Sequence, residues 1–282
     1  MYNKDIKLSV GQKICRIIIY LFLIFLAVTT MIPFLWMLLT SVKLNRLVFA
    51  QFWPNPIKWE NYIEIFKEMN FGKYYLNTLK VAILSTFIQL VTSSMAAYAF
   101  TKLKFKGRNV FYTLYIATMM VPSQVLLLPQ FILIHKMGLY DTHMALILLT
   151  AFSPFGVFMI TQSFKSMSDD VLEAAKIDGG GPFKIYLYVA LPMVKPAISA
   201  LGIITFIAGM NEFMQALIYL NSEEKYVITL AIRNFSNRYI TNTASQMAAT
   251  CTALIPMLIL YVVAQKQIME GVAFSGGGGI KG

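Results

Sequence analysis

The chain has 282 residues, of which 57% are hydrophobic and 13% charged, and its mean hydropathy is +0.64. Polar side chains are too few to cover a soluble globule, so the composition excludes that class and points to a membrane protein. The net charge of +11 would suit a nucleic-acid partner only if Lys and Arg gathered on one face. Here they punctuate long apolar runs, which argues against nucleic acid. Cys15 and Cys251 have no CxxC spacing, so neither a disulfide framework nor a zinc site is supported.

Lys4, Lys7, Lys13 and Arg16 precede an uncharged stretch from Ile17 to Val42. That stretch exceeds the core of a signal peptide and predicts a retained first helix. A helix needs about 20 apolar residues to cross the hydrocarbon core. Six windows meet this: Ile17 to Val42, Val81 to Thr101, Asn109 to Ile134, Met144 to Phe164, Pro196 to Ser222 and Tyr239 to Gln265. None alternates as a barrel strand does, and backbone groups in lipid must bond internally, so helices are expected. The predicted fold class is an all-α membrane protein with six transmembrane helices and two short cytoplasmic helices.

Lys102, Lys104, Lys106 and Arg108 crowd the loop between the second and third windows, which predicts that this loop is cytoplasmic. The N-terminus (1–16), the loop 165–195 and the tail (266–282) then share that side, and residues 17–265 form the transmembrane domain between the two termini. The 43–80 stretch falls outside. Its six basic residues oppose the assignment, but Glu60, Glu64 and Glu68 offset them and long loops count less. Phe52, Trp53, Trp59, Tyr62 and Phe66 suit an interfacial position there, with a short helix around Glu60 to Met69.

In the loop 165–195, Ser168 can cap a helix, Asp169 and Asp170 fit its first turn, and Gly179 to Gly181 can end it. A helix from Asp169 to Asp178 is predicted. Pro182 suits the first position of a second one running toward Val189 and stopping before Pro192. Ala174 and Ala175 give one face little bulk, so the pair can enter a groove, with Leu172, Ala175 and Ile185 as apolar contacts and Glu173 offering a charge. An amphipathic helix lying on the membrane surface fits the same residues.

In the fifth window Glu212 is the lone charge, and a carboxylate at mid-membrane costs roughly 3 kcal/mol, so it should face protein or water. Either pairing at a subunit contact or lining a pathway would satisfy it. No GxxxxGK[ST] loop is present; in the last glycine run Ile280 precedes Lys281. No convergent set of nucleophile, base or metal ligands stands out in the windows, so an enzyme is not indicated.

The order Glu173, Ala174, Ala175, three residues, Gly179, nine residues, Val189, one residue, Leu191, Pro192 resembles the EAA signature of the membrane subunits of bacterial ATP-binding-cassette importers. The departure is Val189, where the family usually has Ile. The resemblance implies that Glu173, Ala174, Ala175, Asp178, Gly179, Leu191 and Pro192 form coupling helices seated in a cleft of an ATPase subunit. The tail, with Gln265, Gly271, Gly279, Lys281 and Gly282, is similar to that of the smaller membrane subunit of maltose-type sugar importers, where it reaches between the ATPase subunits. Asn211, Glu212 and Phe213 match a motif of the same group, with Met210 where Trp is common; they are expected at the pathway or at the heterodimer contact. The resemblance further implies a second homologous membrane subunit, two ATPase subunits, an extracytoplasmic solute-binding protein, a sugar substrate and a bacterial cell membrane. ATP and Mg would sit on the partner ATPase, with no cofactor on this chain. An importer for another solute and an ion-coupled secondary transporter are the alternatives.

Overall fold

The computed structural model describes residues 10–68, 70–238 and 242–276. Among the described residues there is no strand. Among the described residues four helices are long and apolar enough to cross a membrane, or up to six if each of two bent pairs counts as one span. The chain divides into two compact units, Met1–Met69 with Phe235–Thr252, and Asn70–Asn234 with Ala253–Gly282.

In the first unit, α1 (Val10–Ser41) follows the first apolar window, and none of its apolar core is buried by the rest of the chain. Its end is held by polar contacts. Ser41 Oγ hydrogen-bonds Tyr62 Oη at 2.8 Å, and the Asn61 amide donates to the carbonyls of Ser41 and Lys43 at 2.8 and 2.9 Å. Asn61 and Tyr62 belong to α2 (Glu60–Glu68), close to the short helix predicted there. Lys43 is buried, and its ammonium donates to the Gln51 carbonyl at 2.6 Å. Buried polar groups need such partners.

The second unit is organised around α3 (Phe71–Lys102). Its buried face carries Thr78, Ala82, Ser85, Gln89, Ser93 and Ala97, while Ile83, Phe87, Val91 and Met95 face outward. This arrangement, with small and polar residues inside and apolar ones outside, is that of a membrane helix packed on its neighbours.

After α3, the third window is not one straight helix. It forms α4 (Arg108–Ala117) and α5 (Ser123–Lys136), bent by 105°. Pro122 is the cause, because the residue before a proline is driven out of the α region; Val121 is extended, at φ −83°, ψ 118°. The fourth window forms α6 (His143–Thr150) and α7 (Pro154–Lys165). Ser153 Oγ caps α7 by accepting the Gly156 N–H at 3.1 Å.

Downstream come α8 (Asp169–Ile177), α9 (Pro182–Ile185), a π turn over Tyr186–Ala190 and α10 (Leu191–Met193). The fifth window, expected as one crossing, is divided into α11 (Lys195–Met210) and α12 (Met214–Tyr219). The last described elements are α13 (Ile228–Arg238) and α14 (Thr243–Gly276). The α14 helix runs on beyond Gln265, where the tail was expected to begin.

Close approach of α7 and α11 to α3 depends on glycine. A Cβ at Gly209 would lie 3.1 Å from the Ala82 Cα, and one at Gly156 would lie 2.5 Å from Ser93 Oγ. Two apolar cores result. One gathers Val81, Ile134, Leu146, Tyr219 and Leu230. The other joins Tyr98, Ile160 and Phe164 to Leu172, Ile185 and Tyr186 of the loop 165–195.

Candidate coupling loop and helix-lined cavity

The loop 165–195 is built from local signals that act together. Ser168 Oγ accepts the Asp170 N–H at 3.2 Å and opens α8. At its other end Gly179 adopts φ +81°, and two hydrogen bonds close the helix: Gly179 N–H to Lys176 O and Gly180 N–H to Ala175 O, both at 3.0 Å. This is a Schellman motif, which uses glycine where a left-handed residue must follow the helix. Gly180 has a separate steric reason, since a Cβ there would meet the Ala175 carbonyl at 2.7 Å and Ile185 Cγ1 at 2.9 Å.

The second helix departs from expectation, for it does not stop before Pro192. Residues 182–193 are helical throughout, by way of the π turn over Tyr186–Ala190. A proline lacks an N–H and its ring collides with the carbonyl four residues back, and a wider turn just before it relieves both problems. The direction then changes by 79° between Met193 and Lys195.

Contact faces also differ from expectation. Leu172 and Ile185, assigned to a partner, are 4% and 2% exposed and pack into the chain's own core. Ala175 and Leu191 are partly buried against that same core. Each fully buried Leu or Ile is worth about 1.5–3 kcal/mol, so these side chains hold the loop on the bundle. Of the residues assigned to coupling, Glu173, Ala174, Asp178, Gly179 and Pro192 are exposed on the outward face. It also carries Ile177, Phe183 and Tyr188, which are 86%, 64% and 74% exposed and which the spacing argument missed.

The same argument missed the attachment to α3. The Lys102 side chain is 7% exposed at the end of α3, where its ammonium donates to Asp169 Oδ1 at 2.7 Å and to the Met167 carbonyl at 3.0 Å. The hydrogen bond and the charge of Lys102 hold the Asp169 carboxyl below its ordinary range. Ser94 Oγ and Tyr186 Oη are 2.8 Å apart, and Tyr98 packs against Phe164 and Tyr186 with ring centroids at 5.8 and 5.3 Å. Arg108 also departs from a purely topological role, because its guanidinium donates to the Leu103 carbonyl at 3.1 Å near the end of α3.

Asn211, Glu212 and Phe213 separate α11 from α12. The Asn211 amide donates to the Ile207 carbonyl at 2.9 Å, Glu212 Oε1 accepts the Gln215 N–H at 2.8 Å, and Thr229 Oγ1 donates to Glu212 O at 2.7 Å. These side chains satisfy backbone groups freed by the break. Arg233 lies over the Phe213 ring at 5.9 Å. Of the three, Glu212 alone lines a cavity of about 240 Å³, walled by Val81, Ser85, Gln89, Leu146, Thr150, Ser153, Phe155, Ile204, Thr205, Ala208, Gly209 and Gln215. Ser85 Oγ and Gln215 Oε1 are buried with no hydrogen-bond partner among the described residues, a state that costs each about 1–3 kcal/mol.

Of the expected tail contacts, Gln265 is exposed on α14 and Gly271 lies within that helix. Gly279, Lys281 and Gly282 lie outside the described residues.

Known proteins supply an independent comparison. The family described as binding-protein-dependent transport system inner membrane component matches residues 89–270. A putative ABC transporter permease, ORF2, of Caldicellulosiruptor sp. (strain Rt8B.4) is 36% identical over 93% of this chain and 96% of its own length. The diacetylchitobiose uptake system permease NgcG of Streptomyces coelicolor is 30% identical over 89% of this chain and 85% of its own. A solved bacterial ABC transporter involved in import of the acidic polysaccharide alginate shares the fold, with a TM-score of 0.82 and 24% identity over 92% of this chain and 98% of that one. The match covers α4 to α13 completely, including the whole loop 165–195, and the chain belongs to the family of inner-membrane components of binding-protein-dependent transport systems.

Proposed function

We propose that this chain is one of two membrane subunits of an ATP-driven carbohydrate importer, and that the loop 165–195 transmits the work of a separate ATPase. The observation that carries this reading is the two-sided build of the loop. Leu172, Ile185, Tyr186 and Lys102 fasten it to α3 and α7, while Glu173, Ala174, Ile177, Phe183 and Tyr188 stand clear. A loop fastened in this way moves as part of the helices behind it. Force applied to its outer face therefore reaches α3, α7 and α11 without being lost in loop bending.

In this reading the basic stretch from Lys102 to Arg108, both termini and the loop lie in the cytoplasm, following the positive-inside rule. ATP and Mg belong to the partner ATPase, and a solute-binding protein delivers the sugar from outside. The carbohydrate class is supported by the diacetylchitobiose permease among the relatives and by the sequence of the tail.

The test is Glu173→Lys in the assembled complex. It reverses the charge presented by an exposed residue of α8 without touching the buried anchors, so the subunit should insert normally. Solute-stimulated ATP hydrolysis should fall about tenfold, as expected when one charge-assisted contact is replaced by a repulsive one. Unchanged stimulation would remove Glu173 from the docking face.

A further inference from the structure

Carbohydrate recognition combines hydroxyl-pairing groups with an apolar surface for the ring face. The cavity beside Glu212 has both, since Ser85, Gln89, Thr205 and Phe155 are among the residues that line it. Ser85, Gln89 and Thr205 are 2%, 7% and 7% exposed, and Ser85 Oγ has no partner among the described residues. A hydroxyl entering the cavity would supply one. Glu212 is the only ionisable residue lining the cavity, and among the described residues only its Oε1 is engaged, by the Gln215 N–H. Arg233 is held over the Phe213 ring and is not part of the wall.

We infer that this cavity is a subsite for a single uncharged sugar ring, with Glu212 accepting ring hydroxyls and repelling uronates. The inference rests on the transport reading above and adds a chemical class to it. A volume of about 240 Å³ lies below the roughly 300 Å³ at the small end of ligand pockets, which fits one ring rather than a whole oligosaccharide. A carboxylate on the wall of a confined cavity attracts cations and repels anions. A sugar acid would therefore meet a like charge, whereas a neutral ring would meet an acceptor.

The experiment uses the complete complex in nanodiscs with Cys15→Ser, since Cys15 is exposed, and Ala208→Cys as the reporter, because Ala208 is an exposed wall residue. Labelling rates are measured with a cationic and an anionic methanethiosulfonate of similar size. Adding Glu212→Gln should lower the cation-to-anion rate ratio about tenfold. Glucose or N-acetylglucosamine at about 100 mM should slow labelling at least about twofold, and glucuronate at the same concentration should not. A ratio that ignores Glu212→Gln, no protection by either neutral sugar, or equal protection by glucuronate would each overturn the inference. The Glu173→Lys measurement reads ATP hydrolysis through a different part of the chain, so failure there and failure here are separate results.

Discussion

Single residues decide how firmly the coupling loop is held. Gly179 to Gly181 read from sequence as a helix terminator, but the steric need for glycine at 180 comes from Ile185, which arrives from the next helix. Gly180→Ala should cost about 1–3 kcal/mol by overpacking against a backbone carbonyl, seen as a lower Tm of the purified subunit, while Gly181→Ala, with open space around it, should be close to neutral. Equal effects would contradict the packing role. Lys102 illustrates a second limit of sequence reading. Its charge marks the cytoplasmic side, but its pairing with Asp169 joins residues far apart in the chain and becomes visible only in the fold. Because the Asp169 carboxyl is held below its ordinary range, the tie is complete above the usual carboxylate pKa of about 4 and is lost as pH falls through the lowered value. Hydrogen-exchange protection of residues 168–180, corrected for intrinsic rates, should therefore decline on acidification, and Lys102→Met should give the low-protection state at every pH. Protection that is independent of both would show that the tie does not hold the loop.

At the scale of elements, hydropathy located the spans well and their interruptions poorly. The windows report where apolar residues run, but Pro122, Ser153 and the Asn211 to Phe213 segment break helices without interrupting hydrophobicity. Each break is physically legible afterwards: an extended residue before proline, a serine cap, and side chains that satisfy freed backbone groups. The second coupling helix departs from its sequence pattern for the opposite reason. Pro192 was expected to end it, and the π turn carries the helix past. The buried face of α3 was open to reading, since Ser85, Gln89 and Ser93 recur four residues apart on one side of a helix. The stripe carries no charge, so charge spacing alone does not register it. Packing of α11 on α3 turns on Gly209, where a Cβ already falls 3.1 Å from the Ala82 backbone. Gly209→Val should therefore separate the two helices and reduce the yield of folded subunit severalfold, as expected for overpacking of about 1–3 kcal/mol, measured by detergent-resistant size exclusion. A normal elution profile would show that the contact tolerates bulk.

For the molecule as a whole, composition alone gave the membrane class, and the spacing from Glu173 to Pro192 gave the family, which the match over residues 89–270 bears out. What spacing could not give was direction. Residues of one motif point both ways, with Glu173 and Ala174 outward and Ala175 and Leu191 toward the core. The inward set and the Lys102 tie make the loop an extension of the helices, and the outward set offers a face to a partner. That division of labour is the central claim, and site-specific photocrosslinking tests it most directly. A photoreactive amino acid replacing Tyr188, which is 74% exposed, should yield an adduct with the ATPase subunit in membranes containing the complete complex. Adducts with lipid alone would place the loop on the membrane surface and contradict the account.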